Sequence, residues 1–225
     1  MQNFVYLVED IATKHCAIFD PAWNLSKPLS LVAKNAAVIT DIFLTHSHAD
    51  HTNGIEQVLN VFDAELHLSH AESKFWRAEK KSTLHYGGDI IQLGMTAIEI
   101  LHTPGHTCGS VCYKINGHLI TGDTMFVFGC GHCKLGGDPN ILFDTLRSLR
   151  TNLPADTVIY PGHNYAEKAT STMDEQIQGN PFLHFEKSED FVDFRQNVHS
   201  QIRNTPYQAL SKTELEAILK KHITD

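Results

Sequence analysis

The run Thr45-His46-Ser47-His48-Ala49-Asp50-His51 sets three imidazoles and a carboxylate within six residues. Imidazole and carboxylate at that density are metal-ligand chemistry. His46 and His48 are two apart, so on extended backbone they project to one side and can close on one ion. Asp50 and His51 fall on the turn beyond and can face a second. Three later positions repeat the arrangement, each a ligand-type side chain in a glycine- or proline-rich turn just after an apolar run. They are His106 in Thr103-Pro104-Gly105-His106-Thr107, Asp123 in Thr121-Gly122-Asp123-Thr124, and His163 in Tyr160-Pro161-Gly162-His163-Asn164. Asp123 taken alone also suits an Asx-turn. Placed at strand ends, all three can gather with the first cluster.

The elements that must position these residues follow from periodicity. Residues 36–44 form a largely apolar, β-type run ending where the first ligands begin, and Thr52-Asn53-Gly54 is turn chemistry before helical spacing over 54–62. Upstream, 4–9 and 14–20 read as a hairpin and 29–34 as a short helix. Downstream, 64–69 reads as a strand and 70–80 as a helix charged on one side. From Asp89 the pattern is strands: 90–93, 95–101, 110–115, and 118–120 after an Asn116-Gly117 turn. Helical spacing returns over 141–150, a strand over 157–160 and a helix over 164–178, and Gly179-Asn180-Pro181 breaks the chain. Helical stretches at 190–202 and 212–221 complete it. This divides the sequence into a catalytic domain, 1–179, and a C-terminal helical appendage, 180–225, and suits sheets packed face to face with helices outside.

Composition narrows the function. A chain of 225 residues buries a full core, and a net charge of -8 leaves no basic excess to neutralise phosphates, which argues against nucleic acid as a partner. No basic-apolar leader and no apolar run of membrane-spanning length is present, so a cytoplasmic protein without membrane association is expected. Five cysteines in an odd set (Cys16, Cys108, Cys112, Cys130, Cys133) fit a reducing compartment. Cys130 and Cys133 make a C-x-x-C with no second half-site, and are read as incidental thiols. The 15 histidines are the larger excess.

The order T-H-x-H-x-D-H, P-G-H-T, G-D-T, P-G-H over residues 45–163 resembles the metallo-β-lactamase-fold hydrolases. Gly122-Asp123-Thr124 followed by Phe126 and Gly129-Cys130-Gly131 resembles their hydroxyacylglutathione hydrolase (glyoxalase II) branch. The resemblance implies an α/β (α+β) chain folded as a four-layer αββα sandwich with a metal centre at one sheet edge. It implies that His46, His48 and His106 hold one ion and Asp50, His51 and His163 a second, with Asp123 bridging and Asp50 and Asp123 as the catalytic carboxylates. His132 and Lys134 stand where the glutathione hydrolases offer a basic residue and then aromatics, and Tyr165 matches a glutathione-contacting tyrosine. These three are the expected substrate contacts. Lys168, Arg195 and Arg203, like Lys134, are candidates for holding an anionic substrate, with ordinary surface charge the preferred reading, and His102 is read as buried filler.

Two divalent ions sharing Asp123, zinc by preference but iron or manganese equally suited to these ligands, would lower the pKa of a shared water. The expected reaction is attack of that metal-bound hydroxide on a small acyl thioester such as S-(2-hydroxyacyl)glutathione. The rival within the same fold is a persulfide dioxygenase with one iron on His46, His106 and Asp123. A third reading, an idle metal-binding protein, sits badly with seven ligand positions, since structural sites are closed four-ligand ones.

Overall fold

Runs of apolar residues too continuous for a half-exposed strand require cover on both faces, and the first sheet supplies it. The structure is a computed structural model that describes residues 2–76, 81–203 and 205–224, the side chains of 222–224 excepted. This sheet holds β1 (Tyr6–Glu9), β2 (His15–Phe19), β3 (Val38–Phe43), β4 (Glu65–Ser69) and β5 (Thr83–His85) in sequence order. Only β1 and β2 pair antiparallel; the rest are parallel. Helix α1 (Ser26–Lys34) connects β2 to β3, and α2 (Ala49–Thr52) and α3 (Ile55–Leu59) connect β3 to β4. Ile18, Ile39, Ile42, Leu66 and Leu68 bury against Leu25, Val32, Ile55 and Val58.

The second sheet holds β6 (Ile90–Leu93), β7 (Thr96–His102), β8 (Val111–Ile115), β9 (His118–Gly122), β10 (Val158–Pro161) and β11 (Ser171–Thr172), again in sequence order across the sheet. It is antiparallel except for β9 and β10. A parallel pair needs a crossover, here α4 (Pro139–Asn152), opened by the Asp138 side chain accepting from Asn140 N, with Pro139 at the first helical position. Between the sheets, Ala17, Phe19 and Phe43 meet Leu93, Ile98, Ile100, Val111, Tyr113 and Ile120. Phe19 stacks on Phe43 at 5.0 Å and Tyr113 meets both edge-on. Truncating Phe43 there would cost about 3–5 kcal/mol. The layers are helix, sheet, sheet, helix: the expected αββα arrangement.

After α5 (Met173–Gly179) come α6 (Ser188–Asp193), α7 (His199–Ile202) and α8 (Lys212–Thr224). Phe182, Phe191, Phe194, Val198 and Leu215 from this stretch share one core with Cys112, Leu119, Leu142, Leu146 and Ile159. The chain beyond residue 180 therefore helps cover the outer face of the second sheet.

Several elements differ from expectation, each for a local reason. The helix expected over 70–80 is a single 3-10 turn, Glu72–Lys74, because the chain must turn to pair β5 beside β4; residues 77–80 lie outside the described residues. The helix expected over 54–62 is the shorter α3, Ile55–Leu59, and α2 is an additional turn before it; the two are divided at Gly54, where a Cβ would stand 2.8 Å from Pro21 O. The helix expected over 164–178 starts only at Met173, where Thr172 and Glu175 form a capping box. The stretch over 190–202 is interrupted by a π-turn, Phe194–Val198. No helix among the described residues is long and apolar enough to cross a membrane.

Candidate metal centre

Four strands end where ligand-type residues begin: β3 before His46, β7 before His106, β9 before Asp123 and β10 before His163. Asp50 and His51 lie in α2, the first turn beyond the loop. The seven residues converge as two groups. His106 Nε2 stands 3.2 Å from His46 Nε2 and 3.1 Å from His48 Nδ1. In the second group, His163 Nε2 is 3.5 Å from Asp50 Oδ2 and His51 Nε2 3.8 Å. Asp123 faces both: its Oδ2 is 3.6 Å from His106 Nε2, and its Oδ1 is 3.3 Å from both His51 Nε2 and His163 Nε2.

The donor set fits divalent ions. Two imidazoles on one tetrahedral ion, with bonds of about 2.0 Å, stand roughly 3.3 Å apart, close to the spacing of the three-histidine group. Four of the five rings also direct an N–H away from the centre; the outward nitrogen of the fifth, His163 Nδ1, is buried without a hydrogen bond. His51 Nδ1 donates to Asp20 Oδ2 at 3.0 Å, His106 Nδ1 to His132 O at 2.5 Å, and His48 Nε2 to Leu135 O at 3.3 Å. Thr45 Oγ1 gives its hydrogen to Asp20 Oδ2, so at 3.0 Å it accepts from His46 Nδ1. In the neutral form of these four rings the lone pair then faces inward, the tautomer metal binding requires. His51 Nε2 and Asp123 Oδ1 are buried without a hydrogen bond, a cost that a cation between them removes. Asp41, Glu65 and His67 also cluster, but His67 is hydrogen-bonded at 2.8 Å to Asp41 and 2.9 Å to His85, so it is already satisfied.

Burial, then the neighbouring His51 and His106, push His46 well below the ordinary histidine range, and burial also lowers His106. His51 goes the other way: burial opposes its charge, but the carboxylates of Asp123 and Asp20 outweigh it and hold the pKa well above the ordinary value. Asp123 is its counterpart. Burial raises its pKa, and the charge of His51 more than reverses this, leaving it well below the carboxylate range.

The surroundings contain residues the sequence did not point to. Asp20, at the end of β2, accepts from Thr45 N and Thr45 Oγ1 at 2.7 Å each, besides His51. Its signal was present: an acid beside Pro21 at a strand end, the same pattern as the ligands. Asn3 Nδ2 donates to Asp50 O at 2.9 Å, Asn3 Oδ1 accepts from Trp23 Nε1, and the Asn3 backbone bridges His163. Glu72 is buried beneath two ligand loops. Of the substrate contacts the sequence did point to, Tyr165 stacks on His163 at 4.8 Å. His132 turns its ring to Arg195, and with Lys134 and Cys133 it lines a cavity of about 310 Å³.

Other expectations are corrected. Arg195 is not surface charge but 3% exposed, donating to His199 at 2.8 Å and lying over the Phe182 ring, because the π-turn directs it inward. His102 is exposed at the end of β7, its Nε2 donating to Cys108 O, instead of buried filler. Cys130 and Cys133 are free thiols; burial pushes Cys133 up to about 12 and Cys130 higher still, so neither offers a thiolate.

This fold with this site belongs to one family. The chain is a member of the metallo-beta-lactamase superfamily, whose profile matches residues 1–163. It is similar to the probable polyketide biosynthesis zinc-dependent hydrolase BaeB of Bacillus velezensis, 32% identical over 86% of this chain and 87% of that protein. A hydroxyacylglutathione hydrolase of Nitrosococcus oceani is 36% identical over 74% of this chain, but the match spans only 64% of that protein. Among solved structures, ETHE1 from Myxococcus xanthus superposes with a TM-score of 0.78 and 27% identity, covering 98% of this chain and 93% of that one.

Proposed function

We propose that this chain is a metal-dependent hydrolase of small acyl thioesters, S-(2-hydroxyacyl)glutathione among them, with a dinuclear centre and a cytoplasmic location. The observation that carries the reading is Asp123, with one carboxylate oxygen toward His106 and the other toward His51 and His163. His46, His48 and His106 would hold one ion, Asp50, His51 and His163 the other, and Asp123 both. Divalent ions held there, zinc or alternatively iron or manganese, supply a water ionised near neutral pH and a Lewis acid for the carbonyl. The names of the relatives, a zinc-dependent hydrolase and a hydrolase of an acylated glutathione, support the same chemistry.

The chain's own residues do the positioning. Outward hydrogen bonds fix the rings of His46, His48, His51 and His106, so their inward nitrogens are already aimed at the ion. Tyr165, pushed up to about 12 by burial and then by Asp123, keeps its phenol proton and offers a substrate a donor beside His163. His132, lowered to about 4 by burial and then by Arg195, is neutral at physiological pH. Any positive charge met by an anionic thiol arm there comes from Lys134 and Arg195. A thiolate leaves without help from a strong acid, and none is needed from these side chains.

The one-iron dioxygenase reading would use His46, His106 and Asp123 alone. It would leave His51 Nε2, a buried atom with no hydrogen bond, with nothing to bind. The test is elemental analysis of protein purified without added metal, followed by assay on S-lactoylglutathione and a panel of acyl thioesters. Near two ions per chain are expected, with turnover lost on chelation and restored by metal. One iron per chain, with oxygen uptake on glutathione persulfide and no thioester cleavage, would replace the hydrolase with its rival.

A further inference from the structure

Glu72 sits in the turn after β4, a strand that contributes no ligand, and its side chain is fully buried. A carboxylate so placed must find hydrogen bonds, and it has four. Oε1 accepts from Ser47 N at 2.9 Å and Ser47 Oγ at 2.7 Å; Oε2 accepts from Thr107 Oγ1 at 2.8 Å and Gly109 N at 3.0 Å. Ser47 is the residue between His46 and His48, and Thr107 follows His106. One carboxylate thus joins the two loops that supply the three-histidine group, one loop from each sheet. The fit is close, since a Cβ on Gly109 would stand 2.6 Å from Glu72 Cβ. None of the four bonds reaches Asp50, His51 or His163. That half is held by other residues, His51 by Asp20 and Asp50 by Asn3.

We infer that Glu72 is the positioning residue of the His46–His48–His106 half of the centre alone, a reading that rests on the metal centre proposed above. By holding Ser47 and Thr107 to one carboxylate, Glu72 sets the spacing between the loops and so the 3.2 and 3.1 Å separations of His106 Nε2 from His46 Nε2 and His48 Nδ1. The chemistry demands a glutamate. Glutamine has one acceptor oxygen, so the backbone N–H of either Ser47 or Gly109 would face an amide N–H2, donor against donor. Aspartate is a methylene shorter and cannot reach both loops from the same backbone. The Glu72 bonds bear on one half only, unlike those of Asp20, which reach His51 directly and His46 through Thr45, so the three-histidine half can be weakened at Glu72 without the other.

The experiment measures zinc affinity by chelator competition on the full chain, with the wild type first established to take two ions. His163→Ala leaves only the three-histidine site intact, and His48→Ala only the other. Adding Glu72→Gln is expected to lower zinc affinity about 10–100-fold in the His163→Ala background, the usual loss when a ligand's support is removed, and to leave affinity unchanged in the His48→Ala background. An equal loss in both marks general loosening and overturns the inference, as does no loss in either. Should Glu72→Gln fail to fold, Ser47→Ala and Thr107→Ala remove one hydroxyl donor from each loop. Their combined effect on affinity is expected to be smaller than the sum of the separate ones, because both release the same brace; simple additivity overturns it. A wild type that takes no zinc at these residues is a different failure. It removes the metal centre itself, and the assignment of Glu72 with it.

Discussion

Asp20 Oδ2 takes a hydrogen bond from His51 Nδ1 at 3.0 Å, which leaves Nε2 as the nitrogen of that ring facing Asp123. The same carboxylate secures Thr45, which in turn accepts from His46. One side chain thus orients an imidazole in each half of the centre. Asp20→Asn is expected to lower metal affinity about 10–100-fold while the chain stays folded. Chelator competition beside a thermal melt checks this, and unchanged affinity would mean that α2 alone orients His51.

Metal uptake should release a proton. With Asp123 and Asp20 holding its pKa well above the ordinary value, His51 is protonated at neutral pH in the metal-free protein, and a ligand nitrogen must give that proton up. Titration calorimetry at pH 7 in buffers of different ionisation enthalpy should find about one proton per chain leaving with the ion. An apparent enthalpy independent of the buffer would contradict this charge assignment.

Gly162 admits no side chain for a reason tied to the centre, since a Cβ there would stand 2.6 Å from Asp123 Oδ1 and 2.9 Å from His51 Cε1. Gly162→Ala should therefore displace Asp123 and reduce bound metal and turnover together, at least tenfold by the scale of a disturbed ligand environment. The sheets should keep their circular dichroism signal. Full metal content in this variant would show that the loop yields and the ligands do not.

Acid should loosen the joint between the sheets before it reaches the core. Asp10 takes hydrogen bonds from Thr13 in the β1–β2 turn and from Met95 and Thr96 in the β6–β7 turn, and those bonds lower its pKa to about 2. A depressed carboxyl contributes stability above its unfolded value, about 3.9, and loses it as pH falls through the folded one. Asp10→Asn should lower the melting temperature at pH 7 and flatten its decline between pH 4 and pH 2. A variant that melts like the wild type across that window would remove Asp10 from the joint.

The convergence of seven ligand-type side chains was legible because each sits in a turn at the end of an apolar run, and strand ends of a sandwich meet along one edge. What held them was not. Glu72 works on Ser47, 25 residues away, and on Thr107, 35 away; Asn3 works on Asp50, 47 away. Nothing local marks such partners, and Glu72 looked like one more charge on a helical face. The helix expected around it failed for the same reason, since β5 at 83–85 is too short to announce itself and its pairing with β4 overrides local propensity. Arg195 was misplaced because a π-turn, which periodicity cannot register, rotates it into the core. Periodicity reads one element at a time, and these residues join several.

Leu215 on α8 lies in the same core as Leu119 on β9 and Leu142 on α4. Synthesis completes the strands at β11, and the roughly 50 residues from there to the end of α8 take about 3–10 s at 5–20 residues per second. Through that interval the apolar residues that meet Leu215 lack part of their cover. Closure of this core thus trails the strands that it covers.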